Sequence, residues 1–234
     1  MVLSNDTCKQ IRMTRGGCKD IWNAFMLKNA KYSLNDIPFC PTTASMPPQS
    51  LISYDESNSS DHTGAYVHFY IDDYKFDGPY GIWKKPQKAL RRLKRFAGII
   101  TPDFSTFQDM PEPLKIYNTF RMRTFGYWLS SQNISVINNV RWGTSETYRY
   151  CFDGLPRKSM LSIGTVASGL RERRNWQHFE EGFWIMIKKL QPHTLIIYGS
   201  ARYPWFEAVQ KQGIRIISFQ SKMNLAFAQR RSHE

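Results

Sequence analysis

Residues 65–103 decide the fold: AYVHFYIDDYKFDGPYGIWKKPQKALRRLKRFAGIITPD. The stretch begins with an apolar run that ends in Asp72 and Asp73, and it closes with a second apolar run that leads to Asp103. Between the two runs, the apolar side chains of residues 89–96 recur at helical spacing. A strand, a helix and a second strand in this order predict a βαβ unit, whose two strands run parallel.

The same alternation continues beyond this unit. Further strands are predicted in residues 134–142, 159–168, 193–200 and 214–219, and helices in residues 111–132, 176–190 and 204–213. The six strands become seven or eight if the segments SLISY (50–54) and RYCFD (149–153) also pair. Apolar strands separated by helices favour an α/β fold with a mostly parallel sheet. This is either a TIM-like barrel, complete or incomplete, or a doubly wound sheet.

Length and composition bound the domain organisation. A chain of 234 residues with 41% hydrophobic and 15% aromatic residues is large enough for one sizeable core. Residues 1–50 are proline-rich towards their end and lack a clear period. We therefore expect an irregular N-terminal segment, residues 1–50, that packs on a single α/β domain of residues 51–234.

The charge balance narrows the class of partner. The formal net charge is +13, so the surface carries a positive field that attracts polyanions. Nucleic acid, either DNA or RNA, is the leading partner class, and a basic surface that binds no polyanion is the alternative.

Cellular location follows from what the sequence lacks. No apolar run approaches the roughly 18 residues of a membrane span, and the N-terminus has no secretory h-region. The four cysteines form no CxxC pair and have no histidine at metal-ligand spacing. These features predict a cytoplasmic protein without a membrane partner.

Polar residues follow several of the predicted strands. In parallel α/β folds, ligands bind beyond the carboxyl ends of the strands, so these residues are candidates for chemistry. The candidate catalytic residues are Asp72, Asp73, Asp103, Ser105 and Asp153. Carboxylates that converge there would hold a divalent metal such as Mg²⁺ or Mn²⁺, with Asp72 and Asp103 as ligands, or act as a general acid and base. The alternative is that each polar residue caps the helix that follows it.

A basic helix and several single residues are candidates for phosphate contacts. Seven cations without an acid occur in KKPQKALRRLKRF: Lys84, Lys85, Lys88, Arg91, Arg92, Lys94 and Arg95. Such a stripe would neutralise several phosphates, and a solvated surface helix is the alternative. Further contacts are predicted for Asn118, Arg121, Arg141, Trp142 and Thr165. Trp142 would stack on a base, whereas Phe120, Phe125 and Trp128 are expected in the core.

Several enzyme classes are disfavoured by missing motifs. The chain has no GxGxxG after a strand, no GxxxxGK[ST], no GxSxG and no HExxH. It also lacks the HxH pair that rolling-circle initiators use to bind metal. Cys151 is a candidate nucleophile only if a histidine lies beside it, and none is evident.

A series of strings identifies a family resemblance. The strings are YIDDYKFD (70–77), GIITPDFSTFQDMP (98–111), IYNTFRMRTFGYWL (116–129), NISVINNVRWG (133–143), YRYCFDGLP (148–156), SIGT (162–165) and LIIYG (195–199). Over residues 35–220 they resemble, in order, the blocks of the domain-of-unknown-function 4417 family, which is found in bacteria, phages and mobile elements. The family's ST-G block reads SIGTVASG here, which is a small departure.

The resemblance implies a phage or mobile-element context but brings no activity with it. It places nine residues in the characteristic blocks: Asp72, Asp73, Asp103, Ser105, Asn118, Arg121, Trp142, Asp153 and Thr165. Three functions stay open at this point. The first is a metal-dependent nuclease or another hydrolase of nucleic acids or nucleotides. The second is a non-catalytic module that binds nucleic acid, or a phage or mobile-element partner protein, in replication or defence. The third is a small-molecule enzyme, such as a nucleotide or sugar hydrolase.

Overall fold

Seven strands form one parallel sheet in the computed structural model, which describes residues 16–42, 44, 46–166 and 168–222. The strands are β1 (Leu51–Ser53), β2 (Tyr66–His68), β3 (Gly98–Ile100), β4 (Val136–Asn139), β5 (Met160–Gly164), β6 (Thr194–Tyr198) and β7 (Arg215–Phe219). They lie side by side in chain order, and every neighbouring pair is parallel. The sheet curves into a half-barrel, so the α/β prediction with an incomplete barrel is confirmed. A doubly wound sheet would require a reversal in strand order.

Four α-helices flank the sheet. They are α1 (Pro86–Leu93), α2 (Glu112–Ser131), α3 (Trp176–Leu190) and α4 (Pro204–Lys211). Proline occupies the first turn of α1, α2 and α4, where a missing N–H costs no hydrogen bond. The connections from β1 to β2 and from β4 to β5 contain only the short 3-10 helices Glu56–Asn58 and Ser145–Arg149.

Two segments that the sequence left open now have an assignment. The segment SLISY supplies β1, which pairs with β2. The segment RYCFD forms the end of a 3-10 helix and turns, so the described chain has seven strands. Among the described residues before β1, only Ala24–Leu27 is helical, because Asn23 and Asn29 on either side adopt left-handed backbone conformations that interrupt a longer helix.

The sheet buries both of its faces. Side chains alternate along each strand, so Val67 points to the outer, helix-covered face while Tyr66 and His68 point inwards. The outer face packs in two clusters, one around Val67, Ile99 and α2 and the other around Leu161, Ile197 and α3. The inner face also holds an apolar cluster, which contains Tyr66, Ile100, Ile137, Met160, Ile196 and Tyr198.

The two edge strands of the half-barrel are linked at their carboxyl ends. The ammonium group of Lys222, three residues after β7, donates to the Ser53 hydroxyl at 2.7 Å and pairs with Glu56 at 2.5 Å. The N-terminal segment packs on the outer layer, where Cys40 N–H donates to the Gly154 carbonyl at 2.7 Å. Within the described residues, no helix has the length and apolar character of a membrane span.

Candidate functional site

A cavity of about 300 Å³ lies beyond the carboxyl ends of β3, β4 and β5. Its polar walls come from the loops after these strands and from the start of α3, and aromatic rings cover the rest. The principal lining side chains are Asp103, Thr106, Phe107, Gln108, Arg141, Trp142, Thr144, Ser168, Asn175, His178 and Phe179. Its position is the one that parallel α/β folds use for ligands.

An ion pair between Asp103 and Arg141 forms one side of the cavity. Arg141 Nη1 lies 2.6 Å from Asp103 Oδ2, and the two side chains are only 22% and 13% exposed. Asn139 Nδ2 donates to the other carboxylate oxygen, Oδ1, at 2.7 Å. Burial of both charges makes this pair better ordered than a surface ion pair. Asp103 therefore holds Arg141 at the cavity wall, and Asn139 holds Asp103.

The inner face of the half-barrel supports this pair through hydrogen bonds. The Tyr70 hydroxyl donates to Asn139 Oδ1 at 2.9 Å and lies 2.7 Å from the Ser162 hydroxyl. Ser162 in turn donates to the Ile196 carbonyl at 3.1 Å. Gly164 lies directly under the Tyr70 ring, and a β-carbon at that position would overlap the ring. A glycine at the end of β5 is therefore needed for Tyr70 to reach Asn139.

A second carboxylate lies beside the first. Asp73, in the loop after β2, accepts hydrogen bonds from the backbone N–H of Ser105 at 3.1 Å and from its hydroxyl at 2.9 Å. Burial raises the pKa of the Asp73 carboxyl, and the nearby charge of Asp103 raises it further. A carboxyl of raised pKa next to a charged partner is a common feature of acid–base sites. The structure thus brings Asp73, Asp103, Ser105 and Arg141 together.

A buried chain of hydrogen bonds extends from Ser105 to Arg121. Asn118 Nδ2 donates to the Ser105 carbonyl at 2.5 Å, and Asn118 Oδ1 accepts from Arg121 at 2.6 Å. Arg121 Nη1 then lies 2.6 Å from Asp77 Oδ1. The guanidinium carbon also sits 3.9 Å from the centre of the Phe104 ring. Asn118 and Arg121 were predicted to contact phosphate, and both are buried here in contacts that fix the loops after β2 and β3.

Trp142 is half-buried in the cavity wall. Its ring packs at 4.9 Å from Phe179 and 6.2 Å from Phe152, measured between ring centres. Gly182 in α3 makes room for the indole, because a β-carbon there would overlap it. The ring therefore closes the side of the cavity, and only part of it faces solvent.

Two polar atoms at the cavity lack a partner. Among the described residues, neither the Thr106 hydroxyl nor Arg141 Nε forms a hydrogen bond, although both atoms are buried. Both residues line the cavity, and Thr106 is 6% exposed. Buried polar groups without a partner are costly, so a ligand or water in this cavity is expected to satisfy them.

Two of the predicted catalytic residues lie elsewhere. Asp72 is exposed, at the start of the 3-10 helix Asp73–Lys75. Asp153 lines a second cavity, of about 400 Å³, together with Lys189 near the end of α3. Asp153 accepts a hydrogen bond from Asn35 Nδ2 at 2.8 Å.

Thr165 lies just after β5 but does not line the first cavity. Its hydroxyl donates to the carbonyl of Ser200 at 3.0 Å, which joins the loops after β5 and β6. Among the described residues, no group of three or more His, Cys, Asp or Glu side chains is arranged to hold a metal ion. The metal assignment to Asp72 and Asp103 stays a prediction.

The basic helix divides into two groups of cations. Arg92 donates to the carbonyls of Tyr54 and Asp55, and Arg95 donates to the carbonyls of Asn58 and Ser60. These two residues hold the loop after β1. The other five are exposed and form no ion pair within the described chain: Lys84, Lys85, Lys88, Arg91 and Lys94.

Three residues of the site were not among the candidates predicted from the sequence, and one candidate nucleophile, Cys151, lies buried. Tyr70, Ser162 and Thr106 lie within apolar or mixed strings whose spacing gives no sign of a hydrogen-bond network. Cys151 is 2% exposed, and burial raises the pKa of its thiol to about 12, so it is protonated at neutral pH.

Comparison with known proteins shows to which family the chain belongs. The family model described as Domain of unknown function (DUF4417) matches residues 30–220. The chain belongs to this family. All of the cavity-lining residues and all seven strands fall inside the matched range. The family resemblance of the sequence strings is thereby confirmed.

Two phage proteins are similar to the chain in sequence. The "Gene 1 protein" of Mycobacterium phage D29 is 31% identical over 196 residues, which cover 81% of this chain and 69% of the phage protein. The "Gene 1 protein" of Mycobacterium phage L5 is 35% identical over 141 residues, which cover 60% of this chain and 59% of the phage protein. No solved structure matches the chain significantly. This member of the family is therefore of phage type.

Proposed function

We propose that this chain is a phage-type enzyme that acts on nucleic acid through the cavity beyond β3, β4 and β5. The observation that carries the proposal is the Asp103–Arg141 pair at the cavity wall, with the Asp73 carboxyl of raised pKa beside it. One guanidinium and one protonatable carboxyl supply the two functions that hydrolysis of a phosphodiester needs, which are charge stabilisation and proton transfer.

In this proposal, Arg141 contacts the phosphate. Its Nη1 is held by Asp103, and its buried Nε has no hydrogen-bond partner among the described residues. A guanidinium that is already oriented loses little freedom when it binds an anion, and its planar fork matches phosphate oxygens. The formal charge of +13 supports a polyanionic substrate, because it raises the rate of encounter.

Asp73 is the proton carrier in this proposal. Its raised pKa keeps part of the population protonated nearer to neutral pH than an ordinary aspartate. Ser105 fixes both of its oxygens, so the carboxyl has a defined orientation. Asp103 pairs with Arg141 and is a positioning residue. We place this activity in the cytoplasm. The thiols of Cys18, Cys40 and Cys151 are free, and free thiols are typical of that reducing compartment.

The test uses the full chain and end-labelled DNA and RNA, single-stranded and duplex, with Mg²⁺, with Mn²⁺ and with a chelator. Cleavage by the wild type should fall by about 10²-fold or more in Asp73→Asn and in Arg141→Gln. Asp109→Asn, which changes an exposed acid in the loop after β3, is the matched control and should behave as the wild type. Unchanged cleavage in Asp73→Asn and Arg141→Gln, with all variants folded, would contradict the assignment.

A second candidate function is a module that binds nucleic acid without catalysis. The five exposed cations of the basic helix favour it, because they are available to phosphates and lie in no described ion pair. In that case no substrate is cleaved under any condition, and binding falls steeply with salt. Charge reversal at Lys84 and Lys88 would weaken this binding, whereas Asp73→Asn would leave it unchanged.

A further inference from the structure

Three aromatic rings stand exposed on the two loops that border the candidate site. Tyr74 is 76% exposed, Tyr80 is 84% exposed and Phe107 is 55% exposed. Tyr74 follows Asp73 directly, and Phe107 lies two residues beyond Ser105 and lines the cavity. A single exposed ring is ordinary, but three rings on two loops that are joined to each other offer a candidate surface for a ligand that stacks on rings.

The loops that carry these rings are firmly held. The Asp73 carboxylate joins the first loop to the second through Ser105, at 2.9 Å and 3.1 Å. The Asp77–Arg121 pair fixes the middle of the first loop to α2, and Ile82 N–H donates to the Phe76 carbonyl at 2.7 Å just after Tyr80. Because the backbone on both sides is anchored, the rings lose little freedom when a flat ligand stacks on them.

Cations follow the first loop in the sequence. Lys84 and Lys85 follow the first loop at the start of α1, and Lys88 lies one turn further on. All three are exposed and form no ion pair within the described residues. Exposed rings interleaved with lysines are the pattern that binds the bases and phosphates of a single strand, whereas the stacked bases of a duplex are not free to stack on rings.

The size of the cavity points to the same substrate. Its volume of about 300 Å³ suits one small ligand or one nucleotide unit. Enzymes that act on one nucleotide in such a cavity must take it from a single strand or turn it out of a duplex. A strand that lies across Tyr74, Tyr80 and Phe107 would place one nucleotide beside Arg141.

We propose that the substrate is single-stranded nucleic acid, held by Tyr74, Tyr80 and Phe107 and by the lysines at the start of α1. This inference rests on the proposed function, because it names the substrate class of the same site. The exposed acids Asp72 and Asp109 on the two loops limit the number of phosphates that can be neutralised there. Stacking on the rings therefore carries more of the binding than charge does.

The experiment measures binding of the full chain to a fluorescein-labelled oligothymidylate and to a labelled duplex of equal length, by fluorescence anisotropy at several salt concentrations. The wild type should prefer the single strand. Tyr74→Ala, Tyr80→Ala and Phe107→Ala should each weaken single-strand binding by about five-fold or more. Tyr74→Phe and Tyr80→Phe keep the ring and should bind as the wild type does.

The control is Trp22→Ala, which removes an exposed ring from the N-terminal segment and should change nothing. Equal affinity for both probes, with no effect of the three ring substitutions, would overturn the single-strand inference and leave the proposed function intact. A wild type that binds neither probe would overturn both. Circular dichroism of each variant shows that the fold is retained, since the three rings contribute little to the core.

Discussion

The Tyr70 hydroxyl donates a hydrogen bond of 2.9 Å to the side-chain oxygen of Asn139, which lies 69 residues further along the chain. Asn139 in turn positions the Asp103 carboxylate, because its amide nitrogen donates to it. Asp103 pairs with Arg141. A tyrosine on the inner face of the half-barrel therefore sets the position of a guanidinium at the cavity. Burial raises the pKa of the Tyr70 hydroxyl well above its usual value, so it stays a donor at neutral pH.

Tyr70→Phe should lower the free energy of unfolding. It should also weaken the binding of nucleic acid at the cavity, because Arg141 loses part of its support. The substitution leaves the buried side-chain oxygen of Asn139 without its donor and removes one contact of the Ser162 hydroxyl, at a cost of about 1–3 kcal/mol. Urea unfolding measures this loss. Tyr66→Phe is the matched control, since it removes a similar hydroxyl, bonded to Ser135 at 2.7 Å, from the first residue of β2, whereas Tyr70 follows the end of that strand. Equal stability of the Tyr70→Phe variant and the wild type would show that water replaces the hydroxyl.

Much of the fold could be predicted from the sequence because its signal is local. The alternation of apolar runs and helical spacing in residues 65–103 predicted parallel strands, and the polar ends of these strands predicted where a cleft would lie. The choice between a barrel and a doubly wound sheet could not be predicted in this way. It depends on which strands pair, and pairing is decided by contacts between distant segments.

The site could be predicted only in part, for a related reason. Arg121 and Arg123 look alike in the sequence, but two residues along a helix separate their side chains by about 200°. Arg121 reaches the loops beside the cavity, while Arg123 reaches the backbone of residues 139–153. Asp153 follows a string typical of the family, yet its loop leads to the second cavity. Residue type and spacing do not reveal where such loops end in space.

Arg123 is predicted to be a major contributor to stability. Its side chain is fully buried, and its guanidinium donates to the carbonyls of Asp153, Asn139 and Cys151 at 2.9, 3.2 and 2.7 Å. Arg123→Met would leave these carbonyls unpaired, and the free energy of unfolding should fall by about 3 kcal/mol or more.

Urea unfolding of the purified chain checks this value. Arg149→Met removes an exposed arginine whose side chain is 66% exposed, and it should change the free energy of unfolding by less than about 0.5 kcal/mol. A loss for Arg123→Met as small as that of the control would mean that water reaches the three carbonyls.

His68 should make stability depend on pH. Burial and, to a smaller extent, the charge of Lys222 lower the pKa of its imidazole to about 3, while Asp55 acts in the opposite direction. The unfolded chain, with a histidine pKa of about 6.5, therefore binds a proton that the folded chain does not. The stabilisation is complete above about pH 6.5 and is lost as the pH falls towards 3, by about 1.4 kcal/mol per pH unit.

The free energy of unfolding, measured in urea from pH 7.5 to pH 4.5, checks this dependence in the wild type and in His68→Gln. The difference between the two proteins should narrow as the pH falls, because the variant has no imidazole to protonate. His193→Gln, at an exposed histidine, should keep the slope of the wild type. Parallel curves for the wild type and His68→Gln would mean that His68 is protonated in the folded state.

Replacement of Gly182 in α3 by alanine should destabilise the protein, although it adds only a methyl group. Replacing an exposed helical glycine by alanine usually stabilises a protein by about 0.5–1 kcal/mol. At Gly182, however, the new β-carbon would overlap the Trp142 indole, so Gly182→Ala should destabilise the chain by about 1–3 kcal/mol. A double-mutant cycle with Trp142→Leu measures the interaction, since the smaller side chain makes room for the methyl group. The cost of Gly182→Ala should then largely disappear. If the same cost remains in the Trp142→Leu background, the overlap with the indole is not its cause.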